Sequence, residues 1–295
     1  MKVKCGMDFL TIVKFMAALS LVSLMFWMGM KAKFVDVLAS AKNLKLIGLG
    51  VLANFILVPI LTLGLLHIFS PDNLVCVGFL VLAVCPGAPV GLPFVAIARG
   101  DVAVAISQMI ILCTISVFLS PLLLGLLFKY LFKEDDLVID YLKVIQTLFL
   151  IQILPLALGF FLHHKAPIFA ERSIKVLGML SNLLLIITVL LILRVEYETL
   201  TMIRFLDWMV MLILFFGSLG IGWLCGGSDK RIHTTMVITT GIRNAAIALV
   251  IVSNNFSGTP AVTIVVAHSL LCILGGFSFA YFLRLVPIIK LSQVK

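Results

Sequence analysis

The stretch at residues 85–101, CPGAPVGLPFVAIARGD, decides how this chain is read. It places three prolines and three glycines in seventeen residues, directly after the unbroken apolar run VCVGFLVLAV at 75–84. Pro86, Pro89 and Pro93 each remove a backbone donor and crowd the preceding turn, while Gly87 and Gly91 permit conformations that other residues resist. A helix entering this stretch is therefore expected to be discontinuous. In hydrocarbon, unwound backbone survives only where protein buries it or where it lines a watered cavity. The break thus marks tight packing or a binding site, and taken alone it reads as packing.

The composition around it is that of an integral membrane protein: 62% of the 295 residues are apolar, 12% are charged, and the mean hydropathy is +1.25. Uncharged stretches run over 46–71, 73–98, 102–128, 144–164, 176–193, 208–228 and 244–283. Each is near or above the roughly 20 residues that cross hydrocarbon. The stretch 9–30 adds another, interrupted by Lys14, and the turn cluster NNFSGTP at 254–260 divides the run after Lys230 and Arg231 into two spans. An all-α membrane protein of about nine transmembrane helices is expected, as one polytopic domain over 1–295. The N-terminal run is long, lacks a small-x-small cleavage site and ends in KAK at 31–33, so it reads as an anchor and not a signal peptide. The six cysteines form no CxxC pair and read as apolar packing residues, with no metal site or disulfide expected.

Orientation follows from loop charge. With the N-terminus outside, thirteen basic residues fall inside: Lys31, Lys33, Lys42, Lys45, Arg99, Lys165, Arg172, Lys175, Lys230, Arg231, Arg284, Lys290 and Lys295. Six fall outside (Lys2, Lys4, Lys129, Lys133, Arg194 and Arg204), as does the EDD run at 134–136. The expectation is a multi-pass protein of the cell membrane with its C-terminus cytoplasmic. The net charge of +9 then reflects cytoplasmic loops facing anionic lipid, and no nucleic-acid partner is implied.

A second interruption lies in the run IHTTMVITTGIRNAAIALVIVSNN at 232–255, with Gly241, Arg243 and Asn244 at its centre. Counted from the first helix the proline-rich span is third; counted from the sixth, the Gly241 span is third as well. A linking fifth helix makes the two sets of four enter the membrane from opposite sides. Paired interruptions at matching positions of an inverted repeat point to a transporter's central site.

At this point the motifs become specific. CPG at 85–87, a helix ending ARGD at 98–101, and VAV at 102–104 resemble the bile acid:sodium symporter family. The resemblance extends through FWMGM at 26–30, NFILVP at 54–59, SP at 120–121, GIRN at 241–244 and His268, in order over nearly the whole chain. It implies a panel of helices at about 9–30, 143–164 and 174–194, and a core at about 44–128 and 205–285 in which two discontinuous helices cross. It also implies alternating access to a central site. The family's sodium ligands, however, do not carry over. Thr239 stands where the sodium-coupled pattern has a glutamate, Arg243 where it has a glutamine, and Gly91 and Leu92 where it has serine and asparagine. Met109, Leu112 and Cys113 replace hydroxyl positions, Asn54 stands in for a glutamine, and Asn244 matches. Hard cations need several oxygen ligands, usually including a carboxylate, which argues against sodium coupling here.

Arg243 is the most informative residue. An arginine in mid-span costs about 3 kcal/mol or more to insert unless it faces protein or water. At about 1.5 Å per residue it lies roughly 16 Å from either interface, too far to snorkel. All thirteen acidic residues fall in loops or at span ends, so no buried carboxylate is expected to pair with it. It either donates to free carbonyls of the broken helices, as a built-in cation where relatives bind sodium, or binds an anionic substrate bidentately.

The candidate substrate-binding or structural-cation set is therefore Arg243, Asn244, Thr239, Thr240 and Asn54, with Pro86, Gly87, Pro89, Gly91, Pro93 and Gly241 forming the breaks. Gln108, Thr114 and His268 are possible cavity-lining residues, although groups such as Gln108 and Thr114 more often bond one membrane helix to another and a lone histidine such as His268 is more often a satisfied packing residue. His163 and His164 are expected to begin a cytoplasmic loop, and GxxxG at 222–226 to pack helices closely. No GxxxxGK[ST], HExxH or membrane-buried acid pair occurs, so an ATP-driven pump or an enzyme is not expected, nor is a cofactor. The reading is a secondary-active transporter of a small organic anion in the lipid bilayer. The alternatives are a weak-acid or metalloid efflux carrier of the same architecture, and a membrane sensor or scaffold that kept the fold and lost turnover.

Overall fold

The computed structural model describes residues 2–33, 35, 37–38, 42–132, 141–201 and 203–285. Helices account for all regular structure among them: α1 (Lys2–Lys31), α2 (Leu44–Phe69), α3 (Asn73–Ala83), α4 (Gly91–Ile97), α5 (Val102–Leu131), α6 (Tyr141–Lys165), α7 (Pro167–Thr201), α8 (Phe205–Cys225), α9 (Lys230–Gly241), α10 (Ala245–Asn255) and α11 (Pro260–Leu285). Taking α9 and α10 together, seven of these segments are long and apolar enough to cross a membrane; Phe15–Lys31 and Asn73–Ala83 are shorter apolar helices. The chain is a multi-span all-α membrane protein, as composition and span lengths led one to expect. Counting α3–α4 and α9–α10 as one interrupted span each, the described residues hold nine spans.

Proline placement explains most of the irregularities. Pro86 cannot donate to the Leu82 carbonyl and its ring would crowd it, so α3 stops at Ala83 and the chain turns through Gly87 at φ 78°. Pro93 does not belong to the break, as the sequence reading had it: it sits in the first turn of α4, where no N–H is needed. Pro59 and Pro155 each follow a π-helical turn, Ala53–Leu57 in α2 and Phe149–Ile153 in α6. Widening the turn by one residue accommodates the missing donor and the ring without ending the helix.

The segment 165–175 is not a loop. Lys165 closes α6, only Ala166 separates it from α7, and Arg172 and Lys175 lie within the opening turns of that 35-residue helix. Lysine, arginine and glutamate are good helix formers, so α7 continues past the apolar run into the polar layer. His163 and His164 likewise belong to the last turn of α6, and His163 Nδ1 lies 2.6 Å from the Met30 carbonyl at the end of α1. The EDD run at 134–136 lies outside the described residues.

Helix α1 packs chiefly on α6 and α7, whereas α8 packs on α9 and α2, and α11 on α3, α4 and α10. Gly29 and Gly159 bring α1 and α6 into backbone contact: a Cβ on either would run into a carbonyl of the other helix, Leu156 O or Phe26 O. Gly222 and Gly226 do the same for α8 against α9, at Met236 O and the His233 side chain. The interrupted α9–α10 span is 89% buried over its most apolar window, against 22% for the lipid-facing α7, so it occupies the middle of the molecule.

Candidate functional site

Both interruptions meet at Arg243. Helix α9 ends at Gly241, and Ile242, Arg243 and Asn244 lead into α10. Arg243 is the bulkiest of the fully buried side chains, only 1% exposed. Its guanidinium donates from Nε to Leu82 O at 3.1 Å, from one terminal nitrogen to Ala83 O at 2.5 Å, and from the other to Asn54 Oδ1 at 2.7 Å. The first two acceptors are carbonyls at the C-terminal end of α3, where the helix dipole concentrates negative charge. The third sits on the π-turn of α2, whose extra residue places the Asn54 amide within reach.

Three further carbonyls of the first break are also taken. Ser120 Oγ donates to Val84 O at 2.5 Å, the Asn244 amide N–H to Cys85 O at 2.8 Å, and Asn244 Nδ2 together with Cys113 Sγ to Gly87 O at 3.1 Å each. Asn244 is bifunctional, since its Oδ1 caps α10 by accepting from Ile247 N. Backbone oxygens that α3 leaves without helical donors are thus satisfied by the second break and by α5. A buried unpaired carbonyl would otherwise cost about 1–3 kcal/mol.

The other expected residues divide. Thr239 Oγ1 bonds Thr235 O at 2.9 Å and Gln108 Oε1 at 3.3 Å, and the Gln108 amide approaches Met236 Sδ, so Gln108 ties α5 to α9. Thr240 is buried and its hydroxyl has no protein partner among the described residues. His268, on α11, is fully buried with neither ring nitrogen partnered, so it is not the satisfied packing histidine that a lone apolar-face histidine suggests. Thr114 faces outward and bonds Ile110 O within its own helix; it lines no described cavity, because its register on α5 points away from the breaks. Gly91 opens α4, and a Cβ there would press on Met109 Cε. Gly241 closes α9 against Leu219, whose side chain a Cβ would strike.

Sequence reasoning missed Gln152. It is fully buried on the π-turn of α6, and its amide donates to Cys113 O and to Ser116 Oγ, bracing α5 just below the first break. The available signal was a polar residue just ahead of a proline, QILP at 152–155, with Asn54 ahead of Pro59 as its counterpart.

A cavity of about 60 Å³ opens beside this junction. On one side lie Ala88, Pro89, Val90 and the stretch 243–246, at the starts of α4 and α10; on the other lie Ala17, Leu21 and Leu24 of α1 with Leu185, Thr188 and Ile192 of α7. The Ser20, Thr188 and Ser269 hydroxyls on its wall donate to backbone carbonyls, which leaves the lining largely apolar. Two helix beginnings converge on it, and helix beginnings favour negative charge.

The fold is thus that of a multi-span helical membrane protein in which two interrupted helices are tied together at a buried centre, beside a cavity between helix groups. The chain belongs to the sodium bile acid symporter family, whose pattern matches residues 18–203, well over half its length. It is 24% identical over 268 residues to the "Probable sodium/metabolite cotransporter" of Oryza sativa subsp. japonica chloroplasts, covering 88% of this chain and 62% of that one. It is 23% identical to the ileal sodium/bile acid cotransporter of Oryctolagus cuniculus, over 79% of this chain and 67% of that one. It is also 23% identical to the sodium-dependent organic anion transporter of Bos taurus, over 88% of this chain and 70% of that one. The chain thus spans about two thirds of the length of these relatives.

Proposed function

We propose that this protein is a secondary-active carrier of a small organic anion that works by alternating access without binding sodium at the helix junction. The observation that carries this reading is the guanidinium of Arg243 bonded to Leu82 O, Ala83 O and Asn54 Oδ1. A sodium ion seeking those oxygens would sit about 4 Å from a fixed positive charge. At an effective dielectric of about 20 the repulsion is about 4 kcal/mol, some three orders of magnitude in affinity. Arg243 does permanently what a bound cation would do reversibly: it neutralises the carbonyl end of α3 and locks the two breaks in register.

Substrate then meets the opposite ends of the broken helices. The cavity beside Val90 and Ala246 lies at the starts of α4 and α10, where the helix dipoles favour a carboxylate or similar anion, with the apolar faces of α1 and α7 taking the remainder of a small molecule. The α1–α6–α7 group forms the panel and the remaining helices the core, and the cavity between them opens to one side and then the other as the two move. The N-terminus lies outside and the C-terminus in the cytoplasm, following loop charge.

Reconstituted protein loaded with unlabelled anion should show counterflow of labelled anion when sodium is replaced by choline at fixed pH and membrane potential. Binding without counterflow identifies a sensor instead of a carrier. Counterflow that vanishes in choline rejects the built-in cation.

A further inference from the structure

At the end of the bundle where α4 and α11 finish and α9 begins, Arg99, Lys230, Arg231 and Arg284 line an open groove of about 760 Å³. All four side chains are exposed. The nearby carboxylates are largely committed elsewhere: Asp101 Oδ1 caps α5 by accepting from Ala103 N and Val104 N, and Asp229 Oδ1 caps α9 by accepting from Arg231 N and Ile232 N. Among the described residues one ion pair spans the groove, Arg231 with Asp101, and it is loose at 4.0 Å. Among the described residues the four cations outnumber these two carboxylates, so the groove stays positive.

Arg99 is held there against its backbone preference. It occupies the left-handed region at φ 60°, at the position after the α4 cap where glycine is the usual residue. Its N–H bonds Ala96 O at 3.2 Å and that of Gly100 bonds Val95 O at 2.9 Å, the paired bonds that close a helix end. The following corner is pinned, since Asp101 N bonds Thr235 Oγ1 at 2.8 Å, and a Cβ on Gly100 would strike that hydroxyl and Val95. The rigid turn aims the strained arginine into the groove. Strain retained beside a cluster of like charges points to a ligand.

The other wall is apolar. Leu283 and Leu285 line the groove, and Phe282 beside them is exposed on the outside of α11. A cationic pocket grading into lipid-facing hydrocarbon at the helix ends matches one chemistry, a phosphate group carried on acyl chains. We propose that Arg99, Lys230, Arg231 and Arg284 form a binding site for the phosphate headgroup of an anionic phospholipid. The site is separate from the helix junction and does not depend on what the carrier transports.

Thermal unfolding of the full chain in neutral detergent tests this with three additives: dioleoylphosphatidylglycerol, dioleoylphosphatidylcholine at the same mole fraction, and inorganic phosphate. Phosphatidylglycerol alone should raise the melting temperature of the native protein by several degrees, and the rise should fall by at least half in a Lys230→Gln, Arg284→Gln variant. If inorganic phosphate reproduces the rise, the phosphate site stands and its ligand is soluble, which rejects the lipid. Equal rises with both lipids, or an undiminished rise in the double variant, overturn the site itself. Arg99→Gly separates ligand from structure: relief of the left-handed strain should leave the lipid-free melting temperature equal or higher, while the phosphatidylglycerol shift shrinks. A lower lipid-free melting temperature with an unchanged lipid shift would show that Arg99 serves only the turn.

Discussion

Arg243 could serve the fold or the substrate, and its partners separate the two roles. A guanidinium whose three nitrogens already engage Leu82 O, Ala83 O and Asn54 Oδ1 keeps only two of its five N–H groups for an incoming anion. Arg243→Gln should therefore lower the melting temperature in the absence of any anion. A single amide replaces at most part of the fork and leaves buried carbonyls at the negative end of α3 unpaired, a loss of about 2–5 kcal/mol. Arg243→Lys keeps the charge but not the planar fork and should fall between the two. Had the side chain been a substrate clamp, the glutamine variant would melt like the native protein and lose only anion affinity; calorimetry with and without a bound anion distinguishes these outcomes.

Among the elements, the α1–α6 crossing and the second break make separate demands. At the crossing, Gly29 and Gly159 let backbone touch backbone, so Gly159→Val should part the helices and lower stability by about 2 kcal/mol or more. Gly64, in α2 with nothing within 4 Å of its added Cβ, should take alanine neutrally or gain about 0.5–1 kcal/mol from helix propensity. Equal losses at the two positions would contradict the packing. At the second break, Thr239 lies four residues before Arg243, in the last turn of α9, and bonds Gln108. Restoring the carboxylate and amide of the sodium-coupled pattern together, as Thr239→Glu with Arg243→Gln, replaces the fixed cation by a cation-seeking acid. That double variant should be stabilised by sodium chloride over choline chloride, whereas the native protein should respond to the two salts alike.

For the whole molecule, orientation is the testable consequence of charge distribution. A cysteine introduced at Ser228, beside the cationic groove, should react with a membrane-impermeant maleimide only from the cytoplasmic side. One at Ser257, in the turn between α10 and α11, should react only from outside. Labelling of both from one face would break the nine-span topology and with it the pairing of the two interrupted helices. Both cysteines are introduced into a Cys5→Ser background, in which the five remaining native cysteines are all buried.

Much of this was legible in one dimension because the bilayer leaves few choices. Span lengths, the proline-rich third span and the glycine–arginine interruption of the eighth mark where backbone must leave the helix, since hydrocarbon tolerates that only where protein or water can satisfy it. Helix ends in charged segments were less legible: 165–175 reads as a loop by charge, yet its residues favour helix as well as water. Nor could the sequence separate two meanings of one polar residue. Thr114 and Gln108 are both polar residues on different sides of one apolar helix, and only packing shows that the side of the first faces outward and that of the second meets Thr239. By itself the sequence determined a multi-span helical protein with two breaks and a buried arginine, because hydrophobic length and proline chemistry are local properties. Which carbonyls that arginine satisfies, that Asn54 and Gln152 reach inward from π-turns, and that cations from three distant segments share one groove were decided by tertiary structure, because each depends on residues far apart in sequence meeting in space.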